Sequence, residues 1–298
     1  MNQDTSYRRE RLVAALISLI LLGVSLLPGF NLMMLWLFPL PLIIFHVTGA
    51  KRVSTVVAVL FAGGFLLSGF GWSAVLVAVA MYFLSFAMGD ALQGSDSPYA
   101  ALITGTLVFV MLELVFLAFL RWAGIDLFQD LSRQISNSAA LYQAFPGVGQ
   151  QSLNTFVQQE LQTIQLMLPG ILCMFAFLAA AVNLLLVRLV LRRTCSWQSL
   201  LLNWRMPYSI VAVYMVSLAF VLFGWFRDSS FLWPAANNAM FLGGFFLGIQ
   251  GLAFLWRRLH GRQLAYLWLT LLIGLSAFLG NLFVLLGLID SMVRARRV

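Results

Sequence analysis

Runs of predominantly apolar residues recur along almost the whole chain, close to the length of about 20 that a helix needs to cross the hydrocarbon core of a bilayer. Nine are discernible, at 12–27, 31–47, 53–70, 72–88, 99–120, 164–191, 209–226, 235–256 and 265–289, with eight as the alternative count. Such repetition excludes a soluble protein carrying a single anchor. Composition agrees: 62% of the 298 residues are hydrophobic and 9% are charged, with a mean hydropathy of +0.94. A water-soluble core of this size could not be covered by so little polar surface. The expected fold is an all-α polytopic transmembrane helical bundle. The first run follows Arg8, Arg9 and Arg11 as a signal peptide would, but Pro28-Gly29-Phe30 lacks a small-residue cleavage pattern, so it is expected to stay as a helix. Helix breakers at Pro28-Gly29-Phe30, Gly49-Ala50-Lys51-Arg52 and Gly69-Phe70-Gly71 leave only tight connections, which predicts antiparallel neighbours.

The net charge of +8 does not point to nucleic acid, because the arginines sit in small clusters at run ends rather than along one face. They act as topology signals. A cytoplasmic N-terminus puts Arg8, Arg9, Arg11, Lys51, Arg52, Arg188, Arg192, Arg193, Arg205, Arg257, Arg258 and Arg262 inside, twelve of eighteen basic residues. Nine complete spans would then send Arg294, Arg296 and Arg297 outside. Either the rule is broken at that end or one late run is re-entrant or broken. Cys173 and Cys195 have no CxxC or His companions that would suggest zinc, and read as ordinary packing and loop residues.

The one long polar stretch, at 122–163, keeps helical periodicity and falls on the external side in this topology. Phe128, Leu131, Ile135, Ala139 and Tyr142 form one apolar stripe, and Leu153, Phe156, Val157, Leu161 and Ile164 another, separated by Pro146-Gly147. The first fits a surface-lying connector, with a lid or a partner-binding element as the sharper reading. The second runs into the sixth run, interrupted by Pro169.

Glu113 is the only acid well inside a predicted span, where an ionised carboxylate costs roughly 2.5–3.5 kcal/mol on insertion scales. It is either a proton-linked or ligand-contacting group, or a neutral acid bonded to a neighbouring helix. Pro39 and Pro41 remove two backbone donors from the second run and are expected to kink or unwind it, a weak pointer to a cavity. His46 follows near the basic exit with no acidic or His partner at i±3 or i±4, so an interfacial hydrogen bond is favoured over a proton relay or metal ligand. Asn183, Asn237, Asn238 and Asn281 suit hydrogen bonds between helices. Gly244 and Gly248 form a GxxxG stripe for helix packing, with Gln250 and Gly251 just beyond. Arg188 near a helix end can snorkel, Trp204-Arg205-Met206-Pro207 suits the interface and a helix start, and Asp290 can pair with Arg294 at i, i+4.

No HExxH, GxSxG or phosphate-binding Gly-rich loop is present, and no two carboxylates share a helix face, so no enzyme activity, cofactor or metal is expected. Five segments carry a family resemblance: 38–52 (FPLPLIIFHVTGAKR), 168–193, 203–207 (NWRMP), 243–258 and 286–297 (LGLIDSMVRARR). Together, in their order and spacing, they resemble the YybS-like bacterial membrane proteins of unknown function. That family in turn is similar, over its first six helices, to the substrate-binding components of energy-coupling-factor vitamin transporters and to the rod-shape protein MreD. The resemblance implies a bacterial cytoplasmic membrane, a six-helix domain over 1–193 and additional membrane helices over 194–298. With Glu113 and the Pro-interrupted second run, it implies as the expected role a small-molecule binding or transport component working with partner or energising subunits, with a non-catalytic MreD-like scaffold for cell-envelope or division machinery as the alternative. The ligand is not specified, and the partner in either case includes the lipid bilayer.

Overall fold

The computed structural model describes residues 7–27, 35–70, 73–94, 98–124, 150–191, 201–229, 231–261 and 265–295. The expected turn at Pro28-Gly29-Phe30, the stripe around Phe128–Tyr142 with Pro146-Gly147, and the residues Arg192, Arg193, Cys195, Arg262, Arg296 and Arg297 lie outside the described residues. Among the described residues the structure is helical, with no strand. The chain forms two compact units, Met1–Leu114 with Phe175–Trp197, and Val115–Met174 with Gln198–Val298.

The first unit is arranged around a short helix. It contains α1 (Arg8–Ser25), a 3₁₀ turn at Leu35–Leu37, α2 (Pro39–Val47), α3 (Lys51–Phe65) with a π turn at Leu66–Phe70, α4 (Ser73–Gly94), and parts of α5 (Pro98–Trp122) and α6 (Gln150–Leu191). All nine residues of α2 are buried, and α1, α3 and α4 pack against it. A helix that is apolar on every side must be enclosed, which is why the least polar segment here is also the innermost. Nine residues rise only about 13 Å, less than half of the ~30 Å hydrocarbon core. The second run therefore does not make a full-length helix across its described part. Its prolines do not kink it either. Pro39 is the first residue of α2 and Pro41 lies within its first turn, where a missing N–H leaves no donor unpaired. Immediately before it, Phe38 is fully buried between Phe61 and Phe65, each ring centroid 4.8 Å away.

The second unit contains α7 (Tyr208–Phe223), α8 (Leu232–Leu259), α9 (Ala265–Phe278) and α10 (Gly280–Ala295), with α8 packed on α7, α9 and α10. The α8/α10 pair is in backbone contact: a Cβ on Gly251 would stand 2.0 Å from the Phe283 carbonyl oxygen, and one on Gly287 would stand 2.1 Å from that of Leu247. Because Leu247 faces Gly287 and Asp290 bonds Arg257, the two helices run parallel. The C-terminal end of α10 thus lies beside the Arg257–Arg258 end of α8. The expected span at 265–289 is broken into two helices that bend by 110° at their junction. Nine complete runs are the expectation, with a re-entrant or broken late run as the alternative, and the bend at this junction is of the second kind.

Five helices among the described residues are long and apolar enough to cross a membrane: Lys51–Gly69, Ser73–Gly94, Pro98–Trp122, Leu161–Leu191 and Leu232–Leu259. The bent α9/α10 pair makes a sixth if it counts as one span. Leu35–Val47 and Tyr208–Phe223 are apolar but shorter. Charge shortens α1 in the same sense, since Arg8, Arg9, Glu10 and Arg11 occupy its first turn.

Candidate functional site

Polar side chains from neighbouring helices gather around His46 at the C-terminal end of α2. Gly49 adopts a left-handed conformation (φ 79°), and the chain closes α2 with Ala50 N donating to Phe45 O at 2.8 Å and Gly49 N donating to His46 O at 3.1 Å. This is a Schellman closure, which glycine allows without a Cβ clash. Side chains from other helices take up the carbonyls that remain. Gln93 of α4 donates through Nε2 to His46 O and Val47 O, both at 3.1 Å, and Arg11 of α1 donates through Nη2 to Thr48 O. A cationic donor at a helix C-terminus also meets the negative end of the helix dipole.

His46 belongs to the same corner. Its side chain is 3% exposed, packs edge-on against Phe86 at 4.9 Å, and lies against Gly89, where a Cβ would come within 2.6 Å of the imidazole. His46 Nε2 makes no hydrogen bond and stands 3.5 Å from Oδ1 of Asp90, whose side chain is 60% exposed. The acid that the sequence did not offer at i±3 or i±4 comes instead from α4, across a helix interface. Lys51 lies over the Phe86 ring at 5.7 Å. Proton exchange at a buried imidazole beside an exposed carboxylate is the chemistry that this corner could support. Among the described residues no three His, Cys, Asp or Glu side chains stand together as a metal set.

The other predicted residues are dispersed. The backbone of the second run is engaged: Ser54 Oγ donates to Leu42 O at 3.3 Å and Asn183 Nδ2 to Trp36 O at 2.7 Å, while Ser85 Oγ stands 3.3 Å from Pro39 O with its one proton closer to Met81 O, at 2.6 Å. Asn183 is fully buried on α6 and also donates to Ala179 O at 2.9 Å. Glu113 lies on α5, one helical step beyond the buried Leu102, Gly105 and Phe109, and its Oε2 is buried with no hydrogen-bond partner. It is therefore not part of the α2 corner.

The GxxxG stripe is displaced. A Cβ on Gly248 would meet nothing within 4 Å, and one on Gly244 would touch only Tyr214, at 3.7 Å. The close approaches fall at Gly251 and Gly287 for α10, and at Gly243, where a Cβ would stand 2.8 Å from Tyr214. The pattern of small residues was legible, but which face meets a helix was not.

Sequence reasoning also missed a polar cluster in the second unit. Arg257 Nη2 donates to Asp290 Oδ2 at 2.7 Å, and Gln250, fully buried, donates to the same oxygen. Gln250 Oε1 accepts from Met206 N at 3.2 Å, while Arg257 Nη1 donates to Trp204 O at 3.3 Å. The segment Trp204–Met206, expected to be an interfacial anchor, is tied to α8 by hydrogen bonds. Asp290 pairs with Arg257 across helices; the side chain of Arg294, its expected i, i+4 partner, lies outside the described residues. The signal available was the coincidence of Gln250 and Asp290, two polar residues in apolar runs.

A family model described as a predicted membrane protein (DUF2232) matches residues 14–291. The uncharacterized protein YybS of Bacillus subtilis (strain 168) is 24% identical over 277 residues, covering 88% of this chain and 87% of its own length. No solved structure matches.

Proposed function

The chain belongs to the DUF2232 family of predicted membrane proteins, and from that premise we propose that it is a non-catalytic assembly component of the bacterial cytoplasmic membrane, a helical scaffold that recruits other membrane or envelope proteins. The closure of the α2 backbone carries this reading. A substrate site framed by a broken second helix needs free carbonyls and donors there. Here Ser54, Asn183, Gln93 and Arg11 donate to carbonyls of this run and its end, and two of the donors are removed by Pro39 and Pro41. An interior sealed in this way leaves outer helix faces as the surfaces that act.

Small-molecule binding with energising subunits is the second reading, and Glu113 favours it. An acid at that depth with an unpartnered oxygen needs a donor from a ligand, a proton or another chain. Crosslinking of the full-length chain in cells, followed by mild-detergent purification and mass spectrometry, separates the two. Scaffolding predicts membrane or envelope proteins at a fixed ratio, retained in Glu113→Gln. A chain without protein partners, carrying a small molecule at a fixed ratio that Glu113→Gln loses, overturns it.

The parallel α8/α10 pair puts the end of α10 on the side of Arg257, which the positive-inside rule assigns to the cytoplasm. A cysteine at position 298 is then labelled from the cytoplasm. Labelling from outside only would refute that orientation.

A further inference from the structure

Pro169 lies inside α6 and carries no N–H, so the carbonyl of Gln165 loses its regular helical donor. At the next step of the ladder, both groups have a partner outside the helix. Gly170 N donates to Asn238 Oδ1 at 2.6 Å, and Asn238 Nδ2 donates to Leu166 O at 2.7 Å. Residues 166 and 170 are the pair that a regular helix joins through its own i→i−4 bond. The Asn238 carboxamide, reaching over from α8, offers each of them the partner that it would otherwise find in the other.

The fit is specific in orientation and in space. Asn238 Nδ2 also donates to Pro234 O at 2.8 Å. Two carbonyls on one side of the amide and an N–H on the other fix which atom is nitrogen and which is oxygen. Gly170 is buried, and a Cβ there would stand 2.8 Å from Asn238 Oδ1 and 3.0 Å from the Phe241 ring. Proline that opens the ladder, glycine that admits the neighbouring helix and an amide that occupies the opening form one device.

We propose that Asn238 is the latch of a two-position hinge in α6: latched, its carboxamide holds Leu166 and Gly170, and released, α6 closes its own 170→166 bond. Side chains inserted into a helical ladder are an established cause of bends, and a bond that can be made in two ways is a bistable element. Release leaves Asn238 Oδ1 without its donor. The released position is therefore favoured by anything that brings an N–H or O–H group to that oxygen, which is how a bound partner would shift the equilibrium.

The test uses nitroxide labels at Gln159 and Leu178, both exposed on α6, in the full chain with Cys173 and Cys195 replaced by alanine. Electron-electron distance measurement should show two populations. Asn238→Leu keeps the bulk and removes the amide, and Pro169→Ala returns a donor to Gln165. Asn238→Leu removes the latch and should collapse the distribution to the released population alone, near the ~28 Å that a regular helix puts between the two backbone positions, whereas Pro169→Ala keeps Asn238 and should shift the populations toward the released one. An identical distribution in the unsubstituted chain and in both variants overturns the hinge. If Asn238→Leu fails to fold, Asn238→Ala, which also removes the amide, decides in its place.

Discussion

The two units bury their polar groups by opposite means. In the first, a nine-residue helix is hidden among longer ones, and side chains of its neighbours take up its carbonyls one at a time. In the second, α8 and α10 approach until backbone meets backbone at Gly251 and Gly287, and one carboxylate, Asp290, gathers Gln250 and Arg257. The first arrangement spreads its dependence over many weak contacts. The second concentrates it at two glycines and one ion pair, so single substitutions should differ sharply between the units.

The largest effect is expected at the glycine contact. Gly251→Val or Gly287→Val drives a side chain into a carbonyl oxygen about 2 Å away, which only separation of the helices relieves. Overpacking of this kind against backbone should cost about 3 kcal/mol or more, read as a large drop in the thermal midpoint in detergent. Gly248→Ala has open space and should be neutral or stabilising by up to ~1 kcal/mol. Equal losses at Gly248 and Gly251 would remove the contrast on which the comparison rests.

The ion pair comes next. Arg257 and Asp290 side chains are 27% and 11% exposed, so removing either one takes the opposite charge away from a largely buried group. Asp290→Ala or Arg257→Ala should cost roughly 2–4 kcal/mol, with the double variant less damaging than the sum, as a double-mutant cycle would show. Additive losses would mean that the pair is not coupled.

Gln93→Leu should have the smallest effect, about 0.5–1.5 kcal/mol, because its two carbonyls lie at the end where α2 surfaces and His46 O keeps Gly49 N. A loss as large as that of Asp290→Ala would show that the first unit, too, depends on a single residue.

Run length and composition made the helical membrane fold legible, whereas the C-terminal arginines left open whether the positive-inside rule or a late run is broken, and only the bend between α9 and α10 gives a broken run. Other features were misread for a common reason. Pro39 and Pro41 look like a kink in any apolar run, and become a helix start only because the preceding residues turn at Leu35–Leu37. Gly244 and Gly248 match a packing motif, yet the motif does not say which face meets a partner. His46 looked solitary because Asp90 is close in space and far in sequence. Asn183 was read as an interhelical hydrogen-bonder, and its bond to Trp36 O is of that kind, since a buried amide on an apolar helix has few other options.

By itself, the sequence determined the solvent: long apolar runs can shed their backbone polarity only as helices, and only lipid can cover so much apolar surface. Which run is innermost, which glycine touches a backbone, and which acid meets Arg257 or His46 were decided by tertiary structure alone. Hydrophobicity is a local property of a segment, whereas a close approach or a hydrogen bond between helices depends on their rotation and offset, and no stretch of residues carries both partners.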